Sequence, residues 1–260
     1  MLQYNPLQSL PSATELPDSD DTPVDNEFQE LIPGLLRSIL TLLWKDHQDW
    51  FFAIDMGIYY SYTPGIRPTA IVPDGFLSIG VPRRRNNKGR LSYVLWEENH
   101  IVPLIVFEVV SQAYGGEYDT KFVKYTQLGA EYYVVYNPDY SKRDKHEVLE
   151  VYRLVDGVYV RQIGDRIWIP EINLAIGTGQ GNHQGWTREW LYWYDFEGYR
   201  YPSLEERAEA SQQQAEIAQQ QATQAQQQTE IAQQQAENAQ QDLQSLIAKL
   251  RERGIDPDRL

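Results

Sequence analysis

Four residues set the chemical question: Asp74 in "VPDGFLSIG", Glu108 in "PLIVFEVVSQ", and Lys121 and Lys124 in "EYDTKFVKYTQL". Glu108 is the odd one. It interrupts the apolar run Leu104–Phe107, resumed by Val109 and Val110, that belongs in a strand covered on both faces. An ionised carboxylate buried there without a partner costs several kcal/mol, so it must be protonated, paired or turned toward a polar cleft. Asp74 follows Ile71, Val72 and Pro73, and apolar residues resume at Phe76 and Leu77. Two carboxylates at the ends or kinks of neighbouring strands repel each other unless a cation sits between them. Hard oxygen ligands of this kind suit Mg²⁺ or Mn²⁺. Such an ion acidifies water for attack on a phosphodiester, and a nearby lysine can orient that water or neutralise charge on the phosphate. Either Lys121 or Lys124 could swing over Glu108.

The elements that must position these groups are readable in outline. From Asp25–Asn26, "EFQELIPGLLRSILTLLWKDH" has apolar residues at helical spacing, with Pro33–Gly34 expected to split it in two. "WFFAIDMGIYYSY" reads as one bent strand or a hairpin, and "TAIVPDGFLSIG" as a second strand region. Residues 117–128 read as a helix stopped by Gly129, followed by a buried strand in "EYYVVYNP". Asp156–Gly157 marks one hairpin turn and Glu197–Gly198 another. The aromatic stretch Trp186–Tyr201 is expected to pack where the body meets the tail.

Composition excludes several classes. Cys is absent, so no disulfide or thiolate–metal site exists, and no run approaches the ~20 apolar residues of a membrane span. Residues 1–23 are acidic and rich in Pro and Ser, unlike a targeting peptide, and read as a leader without fixed structure; a cytoplasmic location fits. The formal charge is −14, with −9 in residues 1–202 and −5 beyond. That is a poor footprint for a nucleic-acid binder. The exception is the basic loop Arg83, Arg84, Arg85, Lys88 and Arg90, ordinarily a solvated turn but able to grip a phosphate backbone. The four His residues show no ligand spacing, and no Gly-rich phosphate loop or serine-nucleophile motif occurs.

After Pro202 the chain becomes heptads such as "EIAQQQA" and "TQAQQQT". One row runs Ala208, Ala215, Ala222, Thr229, Ala236, Leu243, Leu250; the other runs from Leu204 to Leu246 through Ser and Ala. Alternation by three and four is a coiled-coil seam, here a weak one. A solvated single helix is the plainer alternative.

"VPDGFLSIGVP", "PLIVFEVVSQ" and "YDTKFVKYTQLGAEYYVVYNP" resemble three blocks of the Uma-two family of restriction endonucleases, within the PD-(D/E)XK nuclease superfamily. The resemblance covers roughly residues 24–200. It implies an α/β, restriction-endonuclease-like fold: a mixed central sheet flanked by helices. The family's Pro-Asp falls on Pro73–Asp74, its Glu-Val-x-Ser on Glu108–Ser111, and its Lys-x-x-x-Tyr on Lys121 and Tyr125. The superfamily's usual lysine position, two after the acid, is Val110 here. Related families move the lysine to the following helix, which Lys121 fits, with Lys124 as rival. Glu27 and Glu30 are candidates for a further acid. The resemblance thus implies a DNA endonuclease with Asp74 and Glu108 on Mg²⁺ (or Mn²⁺) and Lys121 assisting. The other expectation is a non-catalytic assembly module that keeps the fold. The expected division is a leader (1–23), a nuclease-like domain (24–202) and an Ala/Gln-rich coiled-coil tail (203–260), with self-association, most simply dimeric, through the tail.

Overall fold

The computed structural model describes residues 10–17, 26–66, 68–85 and 88–254. Its contacts divide it into two compact units, Met1–Glu205 and Glu206–Leu260. The first is a mixed α/β body. Eleven strands are described: β1 (Trp50–Ile54), β2 (Ile58–Tyr59), β3 (Gly75–Ile79), β4 (Tyr93–Val94), β5 (Ile105–Val109), β6 (Tyr132–Tyr136), β7 (Leu149–Val155), β8 (Val158–Gln162), β9 (Arg166–Ile169), β10 (Leu174–His183) and β11 (Trp186–Tyr194). The helices are α1 (Phe28–Leu43), α2 (Thr120–Leu128), the short α3 (Ser141–Asp144) and α4 (Leu204–Glu252).

The central sheet has the order β1-β3-β5-β6-β7-β8. Only β5 and β6 run parallel, joined through α2; every other neighbouring pair is antiparallel. The two faces follow the period of two. Ile105, Phe107 and Val109 of β5 pack in one core with Leu31, Ile32, Leu35, Leu36 and Ile39 of α1 and with the sheet β9–β10–β11. Val106 and Val110 face the other way, into the layer that holds Tyr125 and Leu128 of α2. By that alternation Glu108 belongs to the α2 face.

Several expectations are corrected. Helix α1 runs unbroken through Pro33, which sits in its second turn with its side chain buried beside Leu31, Ile32, Leu35 and Leu36. The proline removes one N–H donor, and burial of the apolar stripe outweighs that loss. The stretch 50–62 is neither a bent strand nor a hairpin. The chain leaves the central sheet at Asp55, whose φ is 47°, and β2 pairs in parallel with β4. The main aromatic hairpin turns at Gln184–Gly185, joining β10 to β11, whereas Glu197–Gly198 closes only a single bridge, Tyr194 to Arg200. Trp193 and Trp190 of β11 pack on α1: the Trp193 indole donates to the Leu36 carbonyl at 3.1 Å, and Phe28 meets Trp190 edge-on. The leader expectation fails for residues 10–17. Leu16 is buried with Tyr59 and Val94, and Trp96 donates to the Pro11 carbonyl at 2.8 Å. Ala13 packs in the same cluster, and its N–H donates to the Glu97 Oε1 at 3.0 Å, so the segment is docked by contacts that composition alone does not show. Residues 1–9 and 18–23 lie outside the described residues.

Helix α4 is the core of the second unit. It has 49 residues, about 73 Å at 1.5 Å per residue, and none of its residues is buried. Gln212–Glu216, Gln226–Glu230 and Gln234–Asn238 bond one turn apart along it. Among the described residues no helix is long and apolar enough to cross a membrane.

Candidate active site

Asp74 stands where the β3–β5 ladder ends. Gly75 pairs with Phe107, the last register pair at that end, and beyond it the Asp74 Oδ2 accepts the Val109 N–H at 2.6 Å. A side chain has replaced the main-chain acceptor, which fixes the carboxylate at the sheet's margin. Glycine is required at 75, where α1 comes close: a Cβ there would lie 2.9 Å from the Pro33 Cβ.

Glu108 is one strand over, buried, on the α2 face. Helix α2 begins at Thr120 with Asp119 accepting the Thr120 N–H, and ends at Gly129 in the left-handed region (φ 83°). Lys121 and Tyr125 are four residues apart, so both project to one face of the helix. The Lys121 ammonium lies 2.8 Å from the Glu108 Oε2, and the Tyr125 hydroxyl donates to the Glu108 Oε1. One turn before Lys121, the buried Glu117 brings its Oε1 to 3.6 Å from the same ammonium, and its other oxygen accepts the Gly115 N–H at 3.1 Å. Tyr133 of β6 donates to the Glu117 carbonyl at 2.7 Å and holds that turn down. The side chains of Glu108 and Glu117 are 0% and 4% exposed and Lys121 24%, so the amine is the most accessible of the three.

The electrostatics follow from burial and like charge. Desolvation, then the Glu108 charge, push the Asp74 carboxyl well above the usual carboxylate range; the Val109 hydrogen bond and Lys121 oppose this. Glu108 is also raised, by desolvation, against the pull of the Lys121 charge and the Lys121 and Tyr125 hydrogen bonds. Burial alone would lower Lys121, but Glu108, with Asp74 and Glu117 behind it, more than reverses that and holds the amine protonated. Desolvation and the Glu108 charge raise Tyr125, which keeps its proton.

The structure brings together Asp74, Glu108 and Lys121. Lys124 is exposed and lines a separate hollow with Tyr60 and Ile71. Glu27, at the N-cap of α1, and Glu30 in its first turn are exposed and are not among the main charges acting on Asp74, which are Glu108, Lys121 and Glu117. Sequence reasoning missed Glu117, although its place four residues before Lys121 was a usable signal. Among the described residues no group of three or more His, Cys, Asp or Glu side chains is arranged to hold a metal ion. Asp74 and Glu108 offer two carboxylates at one sheet margin, with both Glu108 oxygens already accepting from Lys121 and Tyr125. Mg²⁺ is commonly held by one or two carboxylates, and a carboxylate with four lone-pair sites has room beyond the donors already present.

Residues 21–177 match the Uma2 family, described as "Putative restriction endonuclease", and the chain belongs to that family. Among solved structures, a "putative nuclease belonging to DUF820" from Anabaena variabilis ATCC 29413 is 15% identical, with a TM-score of 0.40, over 57% of this chain and 74% of that one. No curated protein matches the chain.

Proposed function

We propose that the protein is a divalent-metal-dependent DNA endonuclease whose reacting centre is Asp74, Glu108 and Lys121. The observation that carries the reading is the ammonium of Lys121 held 2.8 Å from a buried acid, on the sheet face beside a second acid that burial and like charge destabilise. Asp74 and Glu108 would hold Mg²⁺ or Mn²⁺, which when bound supplies Lewis-acid polarisation of the phosphate and a more acidic water. Asp74, tied to the Val109 N–H, and Glu108, tied to Tyr125, are held in place before any ligand binds. Lys121 keeps its proton and offers it to the phosphoryl oxygens as negative charge grows on them. Tyr125 orients Glu108, leaving Lys121 free to exchange a Glu108 oxygen for a phosphate oxygen. Glu117 restrains the amine from the other side.

A second reading has its own support: both Glu108 oxygens are already engaged within the body, by Lys121 and Tyr125. A site satisfied in this way would suit a non-catalytic assembly module. On either reading α4 is the self-association element, most simply a two-fold coiled coil; two protomers would let a nuclease attack both strands. Calorimetric titration with Mg²⁺ and Mn²⁺, beside nicking of supercoiled DNA, separates the two. Heat of binding with metal-dependent nicking supports the endonuclease. Neither signal, in a folded protein, leaves the assembly module.

A further inference from the structure

Five of the 18 cations in residues 1–202 fall within positions 83–90, in a body whose formal charge is −9. The structure sorts them into two groups. The Arg90 side chain is buried against Glu98 at 2.8 Å, and Arg85 pairs with Glu97 at 2.8 Å and Glu98 at 3.4 Å. These two build the wall. Arg83, Arg84 and Lys88 form no ion pair among the described residues, and with Phe51 and the wall arginines they line a cleft of about 570 Å³. Arg83 is pre-set: its guanidinium stacks 3.5 Å over the ring of the buried Trp50 and donates one bond to Thr41 at 3.2 Å. Its other N–H groups remain for a planar, two-oxygen acceptor. Desolvation, with Arg84 and Arg37 nearby, lowers the Arg83 pKa. That crowding of like charge is a cost that an anion would relieve.

We propose that this cleft binds the sugar–phosphate backbone of duplex DNA, as an anchor separate from the carboxylate centre. The proposal rests on the reading of the protein as a DNA-acting nuclease. Its place in the fold separates it from that centre. Asp74 precedes β3 and the cleft follows it, where the Gly80 N–H bonds the Asp49 carbonyl at 2.6 Å and the Arg83 N–H bonds the Gln48 carbonyl at 2.8 Å, so the whole of β3 lies between the two in the chain. Phosphate contacts of this kind carry register and affinity and no sequence information.

The test is fluorescence anisotropy of a labelled duplex in EDTA, with KCl varied, on the full chain. Arg84→Gln/Lys88→Gln removes two exposed cations that form no ion pair among the described residues, and each phosphate contact contributes about 0.9 to the salt slope. The slope of log affinity against log salt should become shallower by about 1.8. Arg83→Lys, which keeps charge but loses the fork, should weaken binding at unchanged fold. Lys124→Gln, an exposed cation outside the cleft, should leave the slope unaltered. Unchanged affinity and slope in the double variant would overturn the proposal, as would an equal loss in Lys124→Gln. If no nicking is ever seen yet the slope falls as expected, the catalytic reading fails and the anchor stands.

Discussion

Asp74→Asn is the most informative change, because it removes a titratable proton and little else. Asn keeps an oxygen for the Val109 N–H that Asp74 accepts at 2.6 Å. In the wild-type body the Asp74 carboxyl holds its proton far above its ordinary value of 3.8, chiefly through desolvation and the Glu108 charge. Between about pH 3.8 and that raised value, the folded state keeps a proton that the unfolded chain has released. Stability must therefore fall as pH rises through this window, by up to about 1.4 kcal/mol per pH unit for one proton. Asn has no such proton. The variant should match the wild type near pH 4 and become progressively more stable relative to it, until the difference levels off above the folded pKa. Urea denaturation in EDTA at unit pH steps reads this directly, and each kcal/mol corresponds to about 2–4 °C in a domain of this size. Mn²⁺ then supplies the complementary result. At about 100-fold its dissociation constant it should stabilise the wild type by about 2.7 kcal/mol and the variant not at all. A stability difference independent of pH would refute the buried-acid account, and equal Mn²⁺ shifts would remove Asp74 from the metal site.

Lys121→Ala should abolish nicking while Mn²⁺ binding, measured by calorimetry, persists; Lys124→Ala, outside the site, should cut at near wild-type rates, and the reverse order would place the wrong turn of α2 over Glu108. Tyr125→Phe should cost about 1.5–3 kcal/mol in urea denaturation if Glu108 remains ionised, because a bond to a charged acceptor is lost, and should raise the Glu108 pKa further. A chain ended at Glu205 should sediment as a monomer across a concentration series in which the full chain is a dimer; equal masses would mean that α4 is only a solvated helix.

What the sequence disclosed, and what it hid, divides along a physical line. Strands β5 and β6, the α2 stop at Gly129 and the Asp156–Gly157 turn are local: apolar runs and turn chemistry within a few residues decide them. Lys121 over Lys124 was open in the sequence because both lie on a helix beside the acid, and only the rotation of α2 distinguishes them. That rotation is set by the burial of Tyr125 and Leu128, with Lys121 one turn before Tyr125. Pro33 misled because its cost is local while its compensation, a buried α1 stripe packed against a second sheet, is not. The same holds for residues 10–17, whose docking depends on β2 and β4, elements of two residues each.

The long-range terms are also the ones that bear on function. β3 begins at Gly75, where Pro33 leaves no room for a Cβ, and Asp74 stands just before it at the end of a ladder. There its carboxylate can take a backbone N–H and still face Glu108. Two buried acids that act on each other, answered by a lysine and a tyrosine from α2, store repulsion that a cation or a proton relieves. The Lys121 ammonium supplies part of that relief. Whatever displaces it must bring positive charge of its own or, as a phosphate does, carry the amine with it. Metal and phosphate should accordingly bind with positive coupling, each lowering the cost of the other. Calorimetric affinity for Mn²⁺ should rise when a short duplex is present, and the rise should vanish in Lys121→Ala. Coupling that survives loss of the amine would show that Lys121 does not mediate it.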